Sequence, residues 1–301
     1  MSPEYIAAVI NSTLRMTTPI LFAALGSAVC SRLGVFNLAL EGQMLIASFF
    51  AVVANYFTGS PFISVVAGVA SAMVISLVVG ILQVKYKAAD MVVGTAINLF
   101  TGGLTSFLLF VIFGIKGTLN DPKLVPMERF NLPLINKIPF VGTIFDSLTF
   151  LDYFAYIMAI LIFIYLFKTV AGFRALSVGI NKEATESLGT KAERIQIGMV
   201  VFSGFLCGLG GVVLSIGQVT LFTENMTSGR GFMAMAAASL GMSHPLGCIA
   251  ASLFFGFAQA FGNVLQTTGV KSQLTMMVPY VATIIALVIF AVKEKMKKKA
   301  H

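Results

Sequence analysis

Glu41 is the residue whose chemistry most demands an explanation. It lies in Gly34-Val35-Phe36-Asn37-Leu38-Ala39-Leu40-Glu41-Gly42-Gln43-Met44, a polar, glycine-bracketed segment that opens an uncharged run over 42–84. A carboxylate at the mouth of so apolar a stretch is costly, so it needs a pairing or functional role. Two roles fit: an ion pair with Arg32 or Arg15 that holds helices together, or a place on a transport path together with Asn37 and Gln43. Two further sets of uncharged polar residues recur at helical spacing. Thr95, Asn98, Gly102 and Thr105 share one face of a helix expected over 91–115, and Ser252, Gly256, Gln259, Asn263 and Gln266 share one face over 248–266. Amides and hydroxyls in such stripes can replace the water around a neutral, hydrogen-bonding solute without fixing it by charge. The competing role is helix-to-helix glue, at roughly 0.6–2 kcal/mol per residue.

The chemistry available excludes several functions. A carrier coupled to protons or sodium generally uses intramembrane carboxylates or histidines, and only Glu41, Asp90 and His244 qualify. No phosphate-binding G-x-x-x-x-G-K-[ST] run is present, since Gly269-Val270-Lys271-Ser272 lacks the upstream glycine. The chain therefore hydrolyses no ATP by itself, and any energy input must come from another polypeptide. Cys30, Cys207 and Cys248 lack ligand spacing and read as packed thiols, so neither metal nor cofactor is expected.

The elements that must position these residues are membrane helices. Apolar residues make up 57% of the chain and charged residues 11%, against about 25% charged in soluble domains. Runs over 42–84, 91–115, 195–223, 231–270 and 272–292, with shorter ones over 16–31 and 153–167, give eight or nine hydrophobic segments in one all-α polytopic domain, 1–301. Continuous rather than alternating apolarity excludes a β-barrel. No cleavable signal peptide is expected, because residues 1–10 lack a basic start and contain Glu4. The net charge of +8 is concentrated at Lys85 and Lys87, over 168–194, and in the tail 293–301. The positive-inside rule places these in the cytoplasm. The proline-rich loop 116–152 then lies outside, as does the N-terminus, with the C-terminus inside. The lysine tail reads as an anchor to anionic headgroups rather than a nucleic-acid patch. Residues 231–241 are too short to span and read as a half-helix, and the break near 34–42 makes a second interrupted segment of the kind that transporters use. Glycine spacings at Gly204, Gly208 and Gly211 mark close helix packing.

The charged loop 173–195 carries the remaining clue. Asn181 can cap a short helix from Lys182 to Leu188, ended by Gly189. A short amphipathic helix on a cytoplasmic loop is a handle for a soluble motor; the alternative is a helix lying on headgroups.

Over nearly its whole length the chain resembles the permease subunits of bacterial ATP-binding-cassette importers. The group is that of the branched-chain amino acid, ribose and simple-sugar permeases, and the resemblance is strongest to its nucleoside branch. The points of resemblance are residues 34–44, the loop from Gly179 through Gly189 to Arg194, Ser203-Gly204 to Gly211, Gly231-Phe232-Met233-Ala234-Met235-Ala236, Leu240-Gly241 and Pro245-Leu246-Gly247. The resemblance implies that Asn181, Glu183, Ala184, Glu186, Leu188 and Gly189 form a coupling helix docked on an ATPase subunit. Glu183-Ala184-Thr185 is followed by Gly189 but by no Leu-Pro, which departs from the EAA pattern and favours the type II, vitamin B12-transporter-like permease fold. It further implies a second, non-identical permease, an ATPase, a substrate-binding lipoprotein and a bacterial cytoplasmic-membrane location. Polarity adds the pathway assignment of Asn37, Glu41, Gln43, Thr95, Asn98, Gln259 and Asn263. The expected function is nucleoside import, with a monosaccharide importer or a stand-alone carrier or channel as alternatives.

Overall fold

The computed structural model describes residues 3–130 and 139–267, together with 277, 281–285 and 288. The expected crossing over 272–292 falls largely outside the described residues, and the tail 293–301 wholly so. In chain order the helices are α1 (Pro3–Arg32), α2 (Leu40–Thr58), α3 (Pro61–Gly80), α4 (Asp90–Phe113), α5 (Pro139–Phe145), α6 (Phe150–Lys168), α7 (Val170–Ile180), α8 (Lys182–Ser187), α9 (Ala192–Val212), α10 (Arg230–Leu240) and α11 (Pro245–Thr267). Helix α3 continues as a π-helical turn over Ile81–Lys85, and α9 as one over Val213–Val219. Seven helices among the described residues are long and apolar enough to cross a membrane: α1, α2, α3, α4, α6, α9 and α11. The strands are two-residue pairs in the loops. β1 (Thr118–Leu119) pairs antiparallel with β4 (Phe222–Thr223), and β2 (Arg129–Phe130) with β3 (Leu148–Thr149).

Helix ends follow local chemistry. Gly59 closes α2 in the left-handed region (φ 62°), and Pro61 starts α3 where its missing N–H costs nothing. Gly114 ends α4 in the same way (φ 70°). Thr149 and Asp152 form the capping box of α6: Oδ2 of Asp152 accepts from the Thr149 amide at 2.8 Å and its hydroxyl at 2.7 Å. The other oxygen, Oδ1, accepts from Thr18 of α1 at 2.6 Å, so this buried carboxylate also ties α6 to the central helix.

Helix α1 forms the axis of the bundle, with Ile20 to Leu25 fully buried. Pro19 within it cannot donate to the Arg15 carbonyl four residues back. Gln218 of the second π turn supplies that bond, Nε2 to O at 2.7 Å. Around this axis α9 packs closely on α2 and α3. A Cβ added at Gly208 would sit 2.9 Å from Val69 Cα, and one at Gly211 would strike the Met44 carbonyl. The Gly211 carbonyl in turn accepts from Ser48 of α2 at 2.8 Å. Gly211→Val is therefore expected to destabilise the chain by about 1–3 kcal/mol, as overpacked sites do. Gly198→Ala, on the open side of the same helix with nothing within 4 Å, is the neutral comparison. Thermal unfolding of the two variants in detergent checks this.

Two helices stop inside the bundle. From the shared turn at Gly59, α3 with its π turn runs 25 residues, about 37 Å, whereas α2 runs 19, about 28 Å. The start of α2 is thus recessed from the end at which Lys85 lies, and the irregular stretch 33–39 fills the gap. Helix α10, with only 11 residues, is the expected half-helix.

Candidate functional site

The recessed starts of α2 and α10 meet at Glu41. Its Oε1 accepts from the Gly229 amide and its Oε2 from the Gly231 amide, each at 2.7 Å. Glu41 lies in the first turn of α2, so one carboxylate sits at two helix N-termini, where both dipoles favour negative charge. The ion-pair expectation is corrected here. Arg32 instead donates to the Ser243 carbonyl (Nε, 3.0 Å) and the Met242 carbonyl (Nη2, 3.0 Å), and no contact joins Glu41 to Arg15 among the described residues. Backbone amides replace the guanidinium because the broken start of α10 brings unpaired N–H groups to the carboxylate.

The irregular stretch 33–39 carries backbone groups that no helix satisfies, and side chains from three neighbouring elements satisfy them. Gln196 of α9 donates to the Leu33 carbonyl at 3.0 Å. Gln83 of the first π turn donates to the Phe36 carbonyl at 3.2 Å, and Asp90 of α4 accepts from the Phe36 amide at 3.3 Å. Asn98 of α4 does double duty, donating to the Leu38 carbonyl at 2.9 Å and accepting from the Gly42 amide at 2.8 Å. Asn37 folds back on its own turn, accepting from the Ala39 amide at 3.0 Å. Its Nδ2 donates to Gln43 Oε1 at 3.3 Å and to Ser203 Oγ at 3.2 Å. Irregular backbone at depth is tolerated when protein satisfies it in this way.

The structure therefore brings Asn37, Glu41, Gln43 and Asn98 together around one interrupted segment. Asn37 and Gln43 are buried; Glu41 and Asn98 are half-buried. Gln43 Nε2 makes no hydrogen bond among the described residues. Thr95 lies apart, exposed, its hydroxyl bonded to the Met91 carbonyl of its own helix at 2.7 Å. Gln259 is buried against Met233 of α10 (Nε2 to Sδ, 3.6 Å), with Oε1 unpartnered among the described residues, while Asn263 is exposed. The two stripes are thus divided between bracing and free polar groups. Gln83, Gln196 and the amides of Gly229 and Gly231 were not singled out from sequence. Only knowledge of which helices abut the break could reveal them. His244 stacks on Phe167 and lies tilted against Phe163, with ring centroids 5.1 and 5.4 Å away. The three cysteines are buried.

Replacing Asn98 with alanine leaves one carbonyl and one amide of the break without a side-chain partner. At about 1–3 kcal/mol for an orphaned buried group, Asn98→Ala should lower the thermal midpoint clearly. Thr95→Ala, which removes only a bond within α4, should not.

At the end of the bundle where the basic residues gather, α7 and α8 form a protruding corner. Asn181 caps α8 as expected, its Oδ1 accepting from the Ala184 amide at 3.0 Å. Gly189 ends the turn with φ 81°. Glu183, Ala184 and Glu186 are exposed. Thr185 is buried and anchors the helix, donating to the Asn181 carbonyl at 2.8 Å. Two exposed aliphatic side chains flank the helix, Ile180 at 87% and Leu188 at 85% exposure. Among the described residues the ion pair of the corner is Lys182 to Glu193, 3.5 Å apart.

Seven long apolar helices, with interrupted segments around polar groups, mark a polytopic membrane protein of the kind that transporters form. The permease component of the branched-chain amino acid transport system is the family whose profile matches residues 9–287, and the chain belongs to that family. It is similar to the guanosine ABC transporter permease protein NupQ of Bacillus subtilis, 33% identical over 295 residues, covering 94% of this chain and 92% of the relative. It is equally similar to the nucleoside ABC transporter permease protein NupC of Lactococcus lactis, 33% identical over 293 residues with the same coverage. A protein of Haloferax volcanii provisionally named a glucose ABC transporter permease, TsgC13, is 26% identical over 261 residues, covering 85% of this chain and 77% of the relative. No solved structure matches the chain. The chain is a multi-pass membrane permease component.

Proposed function

We propose that this chain is the membrane subunit of an ATP-driven nucleoside importer. Similarity at 33% identity to guanosine and nucleoside permeases across nearly the whole length carries the choice of solute. The capped corner α8, with Ile180 and Leu188 exposed on either side, carries the choice of mechanism: it is the coupling helix that enters a groove on a separate ATPase subunit. The fold is of the type II, vitamin B12-transporter-like kind and the whole chain is one permease domain. Loop 116–152 and the N-terminus lie outside, and loop 173–195 and the tail 293–301 lie inside, as the positive charge requires. A second, non-identical permease completes the central path, and an extracellular lipoprotein delivers solute to it.

Asn37, Glu41, Gln43, Thr95, Asn98, Gln259 and Asn263 contribute to the path. The free valences of Gln43 and Gln259 are suited to a neutral base or ribose, because each offers a hydrogen bond without a charge. ATP binding closes the ATPase, which moves α8. Helix α7 leads directly into α8, and Gly179 of α7 packs against the Arg32 carbonyl immediately before the break. A push on α8 therefore reaches the segment that holds Glu41.

The test is ATP-dependent uptake of labelled guanosine by the reconstituted chain, second permease, ATPase and lipoprotein. Uptake that needs every component supports the proposal. Preference for glucose or ribose over nucleosides would keep the machine and change the solute, and uptake by this chain alone without ATP would overturn it.

A further inference from the structure

We infer that the groove between α6 and α9 is a binding site for an anionic phospholipid. The groove has a volume of about 620 Å³. Its walls are aliphatic and aromatic: Leu161 and Ile162 from α6 face Met199 and Phe202 from α9. Gly198 leaves it open, with nothing within 4 Å of where a Cβ would stand. At the end nearer α7, Tyr165, Arg174 and Arg194 line it.

Both guanidiniums are exposed, and neither makes an ion pair or side-chain hydrogen bond among the described residues. The adjacent carboxylate, Glu193, is engaged by Lys182. Two guanidiniums beside a tyrosine match a phosphodiester, whose oxygens accept paired N–H groups. The apolar walls match the acyl chain attached to it. A free phosphate would engage the guanidiniums but make no use of the apolar walls, so the combination selects a lipid over an ion. Basic pockets between membrane helices at the cytoplasmic face bind acidic headgroups for this reason. The lipid would join α6 and α7 to α9, the elements on either side of the coupling corner. Only the assignment to the cytoplasmic leaflet rests on the topology proposed above; the site itself rests on the groove.

The experiment is native mass spectrometry of the assembled importer released from bilayers holding equal phosphatidylglycerol and phosphatidylcholine. The wild type should retain a single phosphatidylglycerol on this chain in preference to phosphatidylcholine. Arg174→Gln with Arg194→Gln should weaken retention about 30-fold, from the loss of two surface cations near the headgroup. Gly198→Phe should also expel the lipid by filling the groove from a position where an added Cβ meets nothing within 4 Å. Lys191→Gln, a nearby cation outside the groove, should change nothing. Equal retention of the two lipids by the wild type overturns the site, as does undiminished phosphatidylglycerol on the double variant. Retention by Gly198→Phe also overturns it, since exposed arginines alone would then account for the attraction. Because the readout is a bound mass, failure of guanosine uptake with these lipid results intact counts against the proposed function and not against the groove.

Discussion

Replacing Glu41 with glutamine is expected to cost this chain more than any other single isosteric change. The carboxylate accepts from two backbone amides, of Gly229 and Gly231, at 2.7 Å each. A glutamine in the same place offers one carbonyl oxygen. Its NH2 group then faces the second amide, donor against donor. Hydrogen bonds to a charged acceptor are worth about 1.5–3 kcal/mol each, and removing one partner strands the other. The negative charge at two helix N-termini is lost as well, at about 0.3–1 kcal/mol per terminus. A loss of about 3 kcal/mol is therefore expected for Glu41→Gln. At about 2–4 °C per kcal/mol, the thermal midpoint of the solubilised chain should fall by roughly 6–12 °C. Uptake should fall at least about tenfold, since α10 would lose its fixed start. Glu41→Asp keeps the charge on a shorter arm and should recover part of both. An unchanged midpoint in Glu41→Gln would show that the two amide contacts contribute nothing to stability. Recovery of the midpoint without uptake in Glu41→Asp would assign the carboxylate a direct contact with solute.

The second large effect is expected at the coupling corner, and it should leave stability untouched. Leu188 and Ile180 are 85% and 87% exposed, so the fold gains almost nothing from them. Burying such a side chain in a partner's groove yields about 1.5–3 kcal/mol, and centrally placed anchors reach 2 kcal/mol or more on truncation. Leu188→Asp also forces a carboxylate into that groove. Its affinity for the ATPase should fall by at least about 30-fold, by the same arithmetic. Ile180→Asp should behave alike, while the thermal midpoint of the isolated chain moves little, as for most surface changes. Titration of the purified ATPase onto the chain in nanodiscs measures the first quantity and a thermal scan the second. Undiminished binding by both variants would remove the corner from the ATPase interface.

These two sites differ in how far they could be read from residue order alone. The capped helix α8 was legible because its determinants are local. An asparagine that caps its own helix at Ala184 and a glycine able to take φ 81° lie within nine residues of each other. The membrane helices were legible for a similar reason. An apolar run of about 20 residues has few other ways to satisfy its backbone in lipid. The turn at Gly59 and Pro61 and the half-helix α10 follow from the same local rules.

The surroundings of Glu41 were not legible. A carboxylate in an apolar chain needs a partner, and arginines were the obvious candidates, because charge is visible in a sequence and an unpaired amide is not. Only the tertiary arrangement carries the broken start of α10, about 190 residues further along, to that carboxylate. The polar stripe of α4 shows the same limit. Helical spacing puts Asn98 and Thr95 on related faces, yet Asn98 turns onto the Leu38 carbonyl and Thr95 onto its own helix. Sequence by itself determined which described segments are apolar enough to cross a membrane, that the stretches near 34–42 and 231–241 are interrupted, and where the short capped helix lies, since each depends on transfer energies and backbone preferences of neighbouring residues. Tertiary structure alone decided which polar groups the breaks consume and which remain free. That depends on the register of helices packed from distant parts of the chain, and no local preference encodes it.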